Sequence, residues 1–572
     1  MNTIMGMWVA VVFGVVVSTH SWAAPGPTNK GITQEKQAPL EPLSDPQEVF
    51  FTVLDYEVDG NTILPQAKID EVLQDYTGFA QQVSDIERAR KALEKTYHEE
   101  GYPTVIVVLP QQQIDSGHVQ LSVVESQIEK VTMTGNTFFS EETLMEKMPS
   151  VKPGWVIHQP TLLEELADVN FHPDRQVTPV LKPGEETGKV NLELKVNDRL
   201  PLHGKVKADN KGALATPSNR LSLELQYTNL FDLEHILTLQ TVHTPEEWGE
   251  VQVYGFTYVA PLGSRDRLFS VFASVSESAS TLAAVQLGSQ TGDVGIAGNS
   301  KSAGIRYNFP LAKTENLGTH SLSLGADFTR LEESTAEAPT GGAIVSSPVQ
   351  YTPLSATYNG IIPHHEGITI LSTTAKGYVA GLIPGGDKED FAGNPKDTAN
   401  KPGNRVGSTG TFAILRASLD RSQTLPEGFS VNAHVDGQWA NEPLLAAEQL
   451  FGGGMDTVRG YQQNETLGDN GIRTRLEILT PFTTLPYFDR PVASNIRTDL
   501  QFAVFYDTAF LWIIRNQPGQ LQRFNLEGAG LGIRLNLSEY LKLQLDNAWA
   551  IRNAGTTSRG DFFAHFSLEL AV

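Results

Sequence analysis

From Pro201 to Val572 the sequence alternates. Leu221, Leu223, Leu225 and Tyr227 interleave with Ser222, Glu224, Gln226 and Thr228, and Leu322, Leu324, Ala326 and Phe328 with Ser323, Gly325, Asp327 and Thr329. Leu541, Leu543 and Leu545 interleave with Lys542, Gln544 and Asp546, and Phe566, Leu568, Leu570 and Val572 with His565, Ser567 and Glu569. Period two is the signature of strands with one apolar face, and a soluble sandwich shares it. Two features favour a membrane barrel. The runs are ~9–11 residues long, the length a tilted transmembrane strand needs. The connections between them alternate in length, as short periplasmic turns and long external loops do. Sixteen runs begin near 203, 220, 235, 250, 266, 300, 318, 350, 366, 408, 428, 471, 498, 525, 540 and 560. The long connections fall at 278–299, 332–349, 381–407, 441–470 and 507–524, and short ones include Phe231–Glu234 and Ser538-Glu539. The stretch 481–497 breaks this rule. The expectation for 199–572 is an all-β transmembrane barrel of about 16 antiparallel strands.

Upstream the pattern differs. Ile86, Ala89, Ala92, Leu93 and Tyr97 have helical spacing, and short β-rich runs occupy Val105–Leu109, Val119–Val124 and Val190–Val196. Val58-Asp59-Gly60-Asn61-Thr62-Ile63 recurs as Met133-Thr134-Gly135-Asn136-Thr137-Phe138. A period of about 75 residues is too long for most solenoids. It fits two tandem β-α-α-β-β domains, 48–125 and 126–198; a generic α+β pair with a chance Gly-Asn echo is the alternative. Residues 24–47 carry five prolines (Pro25, Pro27, Pro39, Pro42, Pro46) and few apolar residues, which predicts a disordered or extended linker. Val9–Val17 is apolar and Ser21-Trp22-Ala23 has small residues where a signal peptidase reads, so 1–23 reads as a secretory signal, although Met1–Met7 lacks Lys and Arg. An uncleaved anchor is the alternative, with a run short for a ~30 Å hydrocarbon core.

Composition narrows the chemistry. The net charge of -23 disfavours nucleic acid as a partner. The absence of cysteine excludes disulfides, thiol catalysis and Cys-ligated metal. After the leader no run of 18 or more apolar residues occurs, so a membrane is crossed only by a closed barrel. No G-x-S-x-G nucleophile context and no P-loop is present. His364-His365-Glu366 lacks the H-E-x-x-H spacing of a zinc site. The expectation is a non-enzyme without metal or cofactor.

One stretch carries a sharper signal: Glu448-Gln449-Leu450-Phe451-Gly452-Gly453-Gly454-Met455-Asp456-Thr457-Val458-Arg459-Gly460-Tyr461. Alone it is compatible with a solvated glycine-rich hairpin loop. In context it resembles the sixth-loop signature of two-partner secretion outer-membrane transporters, the haemolysin secretion/activation type within the POTRA-bearing barrel superfamily. Phe171-His172-Pro173-Asp174-Arg175-Gln176-Val177, with Pro183-Gly184-Glu185 and Gly188, is similar to the second POTRA domain of that family. The resemblance implies two small α+β POTRA domains ahead of the barrel. It implies that the loop folds into the lumen, where Arg459 of Val458-Arg459-Gly460-Tyr461 pairs with the aspartate of an F-x-D-x-G wall motif. Here that motif is Phe505-Tyr506-Asp507-Thr508-Ala509, with alanine in place of glycine. Periodicity places Asp507 inward on its own account: Leu500, Phe502, Val504 and Tyr506 form the apolar set, leaving Gln501, Ala503, Phe505 and Asp507 to the lumen. Arg473, Arg475 and Glu477 share a face opposite Ile472, Leu476 and Ile478 and belong either to the same charge network or to an ordinary hydrated lumen.

By resemblance the protein is an outer-membrane pore of a Gram-negative bacterium, its POTRA domains in the periplasm. It recognises an unfolded exoprotein, bound by the POTRA domains as an extended chain, and moves it to the surface or medium, with lipid as the other partner. A plug helix in 24–47, which family members can carry, is disfavoured by the prolines. Outer-membrane barrels commonly end in an aromatic residue; this chain ends in Val572. The alternative is an outer-membrane protein insertase of the same superfamily; a small-solute diffusion channel needs no POTRA pair.

Overall fold

The computed structural model describes residues 50–572 apart from 115–116, 214–215, 264–266, 279–280, 287–292, 298, 312–317, 333, 338–342, 347, 394–402, 485–497, 517–520 and 538–539. The expected leader, linker and plug region lie outside the described residues. The chain divides into two compact units after Arg199.

The first unit holds two β-α-α-β-β sheets. In the first, strand Asp55–Asp59 runs parallel to the central strand His118–Glu125, and Val105–Val108 pairs antiparallel on its other side. In the second, Gln127–Thr134, Lys189–Asp198 and Arg175–Pro183 take the same places. The helices are α1 (Gln66–Gln74), α2 (Val83–Glu99), α3 (Glu141–Glu146) and α4 (Gln159–Val169). Helix α2 starts at a capping box between Gln82 and Asp85 and buries Ile86, Ala89, Leu93 and Tyr97, three or four residues apart, on one side. The Gly-Asn repeat does one job twice. Gly60 (φ +83°) and Gly135 (φ +88°) end the first strand of each domain in a left-handed turn, where a β-carbon would strike the carbonyl oxygen of Val123 or Val196. Asn61 then donates to the carbonyl of Leu64 (2.9 Å), and Asn136 to that of Phe139 (3.2 Å). A small two-stranded sheet, Phe51–Val53 with Gly78–Gln81, was not legible in the pattern.

The second unit is a closed antiparallel barrel. Its sixteen strands are β1 (Leu202–Asp209), β2 (Arg220–Leu230), β3 (His235–His243), β4 (Val251–Pro261), β5 (Leu268–Ser278), β6 (Ser300–Pro310), β7 (Thr319–Leu331), β8 (Val349–Tyr351 and Leu354–His364), β9 (Gly367–Tyr378), β10 (Phe412–Thr424), β11 (Ser430–Ala440), β12 (Asn470–Leu479 and Thr483–Thr484), β13 (Asp499–Trp512), β14 (Arg523–Asn536), β15 (Leu541–Ala550) and β16 (Phe562–Ala571). The interruptions in β8 and β12 contain Pro353 and Pro481, which have no N–H to give to a ladder. β16 pairs back to β1 from Ser567–Asp209 to Ala571–Lys205, and Val572 and Gly204 exchange two further backbone bonds (2.8 and 3.1 Å). The expected strand starts lie within four residues of the observed ones. One loop differs: β13 runs to Trp512 and β14 starts at Arg523, so that connection is 513–522 rather than 507–524. Tyr506 to Trp512 simply continue the alternation. Two long connections carry hairpins of their own, Thr281–Gln286 with Asp293–Ala297 and Ser334–Glu337 with Ala343–Ser346.

Outward faces are apolar and open. Leu225, Ile305, Leu324, Leu415, Phe502 and Leu531 are exposed, an arrangement that is unfavourable in water and favourable against lipid. Inward neighbours such as Gln226, Arg306, Ser323, Arg416 and Gln501 are polar, while Leu531 lies between Gly530 and Gly532.

Candidate functional site: loop six in the barrel lumen

The connection between β11 and β12, residues 441–469, is packed rather than solvated. Val458, Arg459 and Tyr461 at its tip have no exposed surface. Gly460 (φ +95°) makes the sharp turn, and a β-carbon there would lie 2.8 Å from the carbonyl carbon of Trp549 on β15. Opposite the tip, β14 presents Gly528, Gly530 and Gly532 inward. A β-carbon on Gly528 would overlap the Arg459 carbonyl oxygen, so this glycine makes room for the loop.

Arg459 joins three strands. Its Nε and one terminal nitrogen donate to the two carboxylate oxygens of Asp507 on β13 (2.6 and 2.8 Å). The other terminal nitrogen donates to Glu477 on β12 (2.5 Å) and Asp546 on β15 (3.2 Å). Its backbone N–H also reaches Asp507 (3.1 Å). The guanidinium lies 3.4 Å from the Phe505 ring centroid, a cation–π contact. Arg534 on β14 closes the set by donating to Glu477 (2.9 Å) and Asp546 (2.5 Å). Two cations thus meet three carboxylates; Arg459, Asp507 and Asp546 are shut off from water and Glu477 and Arg534 only partly so, and geometry and hydrogen bonding decide whether the buried charge is tolerable. The planar fork suits arginine and not lysine.

The flanking residues of the tip are held separately. The Tyr461 hydroxyl donates to the carbonyls of Glu527 (2.9 Å) and Arg552 (2.8 Å). Val458 packs with Leu450, Tyr461, Ala509, Leu511 and Leu526; Ala509, which stands where the wall motif has glycine, belongs to this cluster. The Gly460 N–H donates to His565 Nε2 on β16 (3.3 Å). Of the three flagged residues on β12, Glu477 joins the Arg459 network. Arg473 grips Asp436 on β11 (2.8–3.1 Å) and the Phe451 carbonyl (2.9 Å), and Arg475 holds the Asp456 carbonyl (3.0 Å).

Two further nodes at the loop base escaped the sequence reading. Buried Glu448 accepts from Lys376 on β9 (2.6 Å) and Tyr351 on β8 (3.0 Å). Buried Asp469 accepts from Arg405 (2.7 Å), Gln449 (2.9 Å) and the backbone N–H groups of Leu444 (2.9 Å) and Ile514 (2.7 Å). Gly528, Arg534, Asp546 and His565 were also missed as site residues. Their signal was available, since each stands on the inward parity of an alternating run. Which inward residues meet across strands depends on register, which one sequence does not print.

A lumen-inserted loop pinned by buried ion pairs, in a sixteen-stranded barrel preceded by tandem β-α-α-β-β domains, defines the POTRA-bearing outer-membrane transporters. Within that class the chain belongs to the haemolysin secretion/activation protein ShlB/FhaC/HecB family, whose profile matches residues 188–535, and residues 51–126 match the ShlB-type POTRA domain. Relatives include the outer membrane transporter CdiB of Dickeya dadantii, 22% identical over 90% of this chain and 85% of that protein. The heme/hemopexin transporter protein HuxB of Haemophilus influenzae is 21% identical over 82% of this chain and 78% of that protein. The hemolysin transporter protein HpmB of Proteus mirabilis is 23% identical over 78% and 76%. Among solved structures, CdiB from Escherichia coli aligns with a TM-score of 0.59 at 16% identity, covering 92% of this chain and 91% of that one. BamA from Haemophilus ducreyi lacking POTRA domains 1–3 aligns at 0.54 and 13%, covering 91% and 100%. These structures share the barrel fold; the family places the protein among the two-partner secretion transporters of the outer membrane.

Proposed function

We propose that this transporter carries one large exoprotein, captured unfolded in the periplasm, through the barrel whose lumen loop six occupies. A leader (1–23) and linker (24–47) precede POTRA domains at 48–125 and 126–198 and the barrel at 199–572. The POTRA sheets take the client as an added strand, in which main-chain hydrogen bonds supply affinity and side-chain pockets supply selectivity. The apolar outer belt sits in lipid. The observation that carries the loop's part is the Arg459 node: a single side chain ties the tip to β12, β13 and β15, so one local change releases the tip while Glu448 and Asp469 keep the base in place.

The test compares culture supernatants by mass spectrometry from wild type, a deletion of this gene and Arg459→Ala. One large protein is expected to vanish in the deletion and to fall in the variant. Unchanged supernatants together with depleted outer-membrane barrel proteins would establish the insertase instead.

A further inference from the structure

Strand addition needs a sheet edge with free N–H and C=O groups, and the two three-stranded sheets of the first unit offer four edges of unequal quality. Asp55–Asp59 exposes Asp55, Glu57 and Asp59, the charged dressing that discourages pairing. Arg175–Pro183 is interrupted by Pro179 and ends at Pro183. The start of Gln127–Thr134 is covered by backbone, since Ile128 N–H donates to the Trp155 carbonyl (2.9 Å) and Gly154 N–H to that of Ile128 (2.7 Å).

The fourth edge, Val105–Val108, is uncharged and exposes Ile106 (51%) and Val108 (42%) on the face away from the helices. Its outward main-chain groups are occupied by side chains of α2. Val107 N–H donates to Glu94 (3.1 Å), Arg90 donates to the Val107 carbonyl (2.8 Å), and His98 Nε2 lies 3.0 Å from the Val105 carbonyl. Glu87 braces Arg90 from the far side with three contacts of 2.7–2.9 Å, and Arg90 also reaches Glu94 (2.8 Å). Where this strand ends, the Gln112 amide exchanges two bonds with the backbone of Gln120 on the central strand (2.8 and 2.7 Å). A donor and an acceptor on Val107 and an acceptor on Val105, on alternate residues, are the groups an added antiparallel strand would bond.

We propose that Arg90, Glu94 and His98 form a clasp that stands in for a missing strand at the Val105–Val108 edge, and that an extended segment of the exported partner, with apolar residues at alternate positions beside Ile106 and Val108, displaces it. This rests on strand addition being the mode of capture. The clasp solves a definite problem. An apolar open edge would pair with other copies or with the wrong chain, whereas long polar side chains satisfy the backbone and yield at modest cost, as partly exposed ion pairs do.

The test uses the full chain in nanodiscs and, as probe, the purified exoprotein that the deletion strain fails to export, diluted from urea. Arg90→Ala/Glu94→Ala opens the clasp. Val107→Pro removes the outward N–H, which bonds Glu94 and not the sheet, at an edge position where proline is tolerated. The double variant is expected to bind about tenfold more tightly than wild type and Val107→Pro at least tenfold more weakly. Without probe, hydrogen exchange at Val107 is expected to speed up at least tenfold in the double variant. Unchanged binding by the double variant with weakened binding by Val107→Pro overturns the clasp and leaves strand addition standing. Wild-type binding by both variants overturns this edge as the capture site along with the clasp. A Val107 amide still protected in the double variant without probe means that another part of the chain covers the edge, which also overturns the proposal. Glu94→Gln, which keeps an acceptor but loses the charge, gives an intermediate affinity if the clasp competes and wild-type affinity if it does not, so the decision does not hang on the double variant folding.

Discussion

Arg459→Ala removes the guanidinium from a node where it makes two bonds to Asp507 and one each to Glu477 and Asp546. Glu477 and Asp546 keep Arg534. Of the contacts described here, Asp507 keeps only the backbone N–H of residue 459, at 3.1 Å. Stripping one partner from a buried ion pair costs about 3–5 kcal/mol. At about 1.4 kcal/mol per factor of ten, the balance between seated and released tip shifts by roughly two to three and a half orders of magnitude. The chain contains no cysteine, so a single Thr457→Cys reports on the tip without background. Thr457 is buried in the seated loop, and a maleimide reaches it only when the tip lifts. When reseating is fast, the labelling rate tracks the open population. Adding Arg459→Ala to the reporter should therefore raise the rate by roughly two to three and a half orders of magnitude. Adding Asp507→Asn, which leaves a neutral acceptor, should raise it less. A rate within about threefold of the reporter alone would show that Tyr461 and the loop base hold the tip, and would remove Arg459 from the account of loop release.

Three further outcomes follow from the same geometry. Gly528→Val should unseat the tip with the charge network chemically intact, because its β-carbon overlaps the Arg459 carbonyl; Thr457→Cys labelling should rise as in Arg459→Ala, and an unchanged rate would count against the steric argument. Gly60→Ala and Gly135→Ala should each destabilise their own domain by more than about 1 kcal/mol, since alanine is strained at positive φ; denaturant unfolding of the two variants checks it, and a neutral effect at either site would deny that the repeat has one structural cause. Burial pushes the Tyr97 hydroxyl up to about 12, with Glu125 adding to it. A folded pKa above the unfolded value of about 10 means that this contribution is intact below pH 10 and is lost as pH rises from 10 towards 12. Tyr97→Phe should therefore weaken the alkaline decline of the melting temperature, and an identical decline in both proteins would exclude Tyr97 as its source.

Strand count and strand starts were legible because a lipid-facing wall forces one apolar residue in two, and the forcing is local. Gly60 and Gly135 were legible because a left-handed turn accepts few residues besides glycine. Asp507 and Glu477 could be assigned to the lumen by parity; the pairing of Asp507 with Arg459 came from the family motif, while for Glu477 the sequence left both the charge network and an ordinary hydrated lumen open. Asp546 and His565 already stood on polar faces of alternating runs, yet nothing in β15 or β16 announced that loop six would reach them. Glu448 and Asp469 were harder still, because their partners Lys376, Tyr351 and Arg405 lie in distant stretches without shared periodicity. The shortened 513–522 connection was missed because strand and loop were separated by length instead of by continuing the alternation through Trp512.

The Arg459 node also bears on how the barrel is put together. Its partners lie downstream of it, 18 residues on at Glu477, 48 at Asp507 and 87 at Asp546. The tip can lock only after β12 to β15 have been made and aligned. Slipping β13 by one residue would turn Asp507 toward the hydrocarbon and bring Tyr506 or Thr508 inward, leaving Arg459 facing no carboxylate on that strand. A misaligned wall therefore cannot seat the loop. The same ion pairs that hold the finished lumen fit one alignment of four strands and none of its one-residue neighbours.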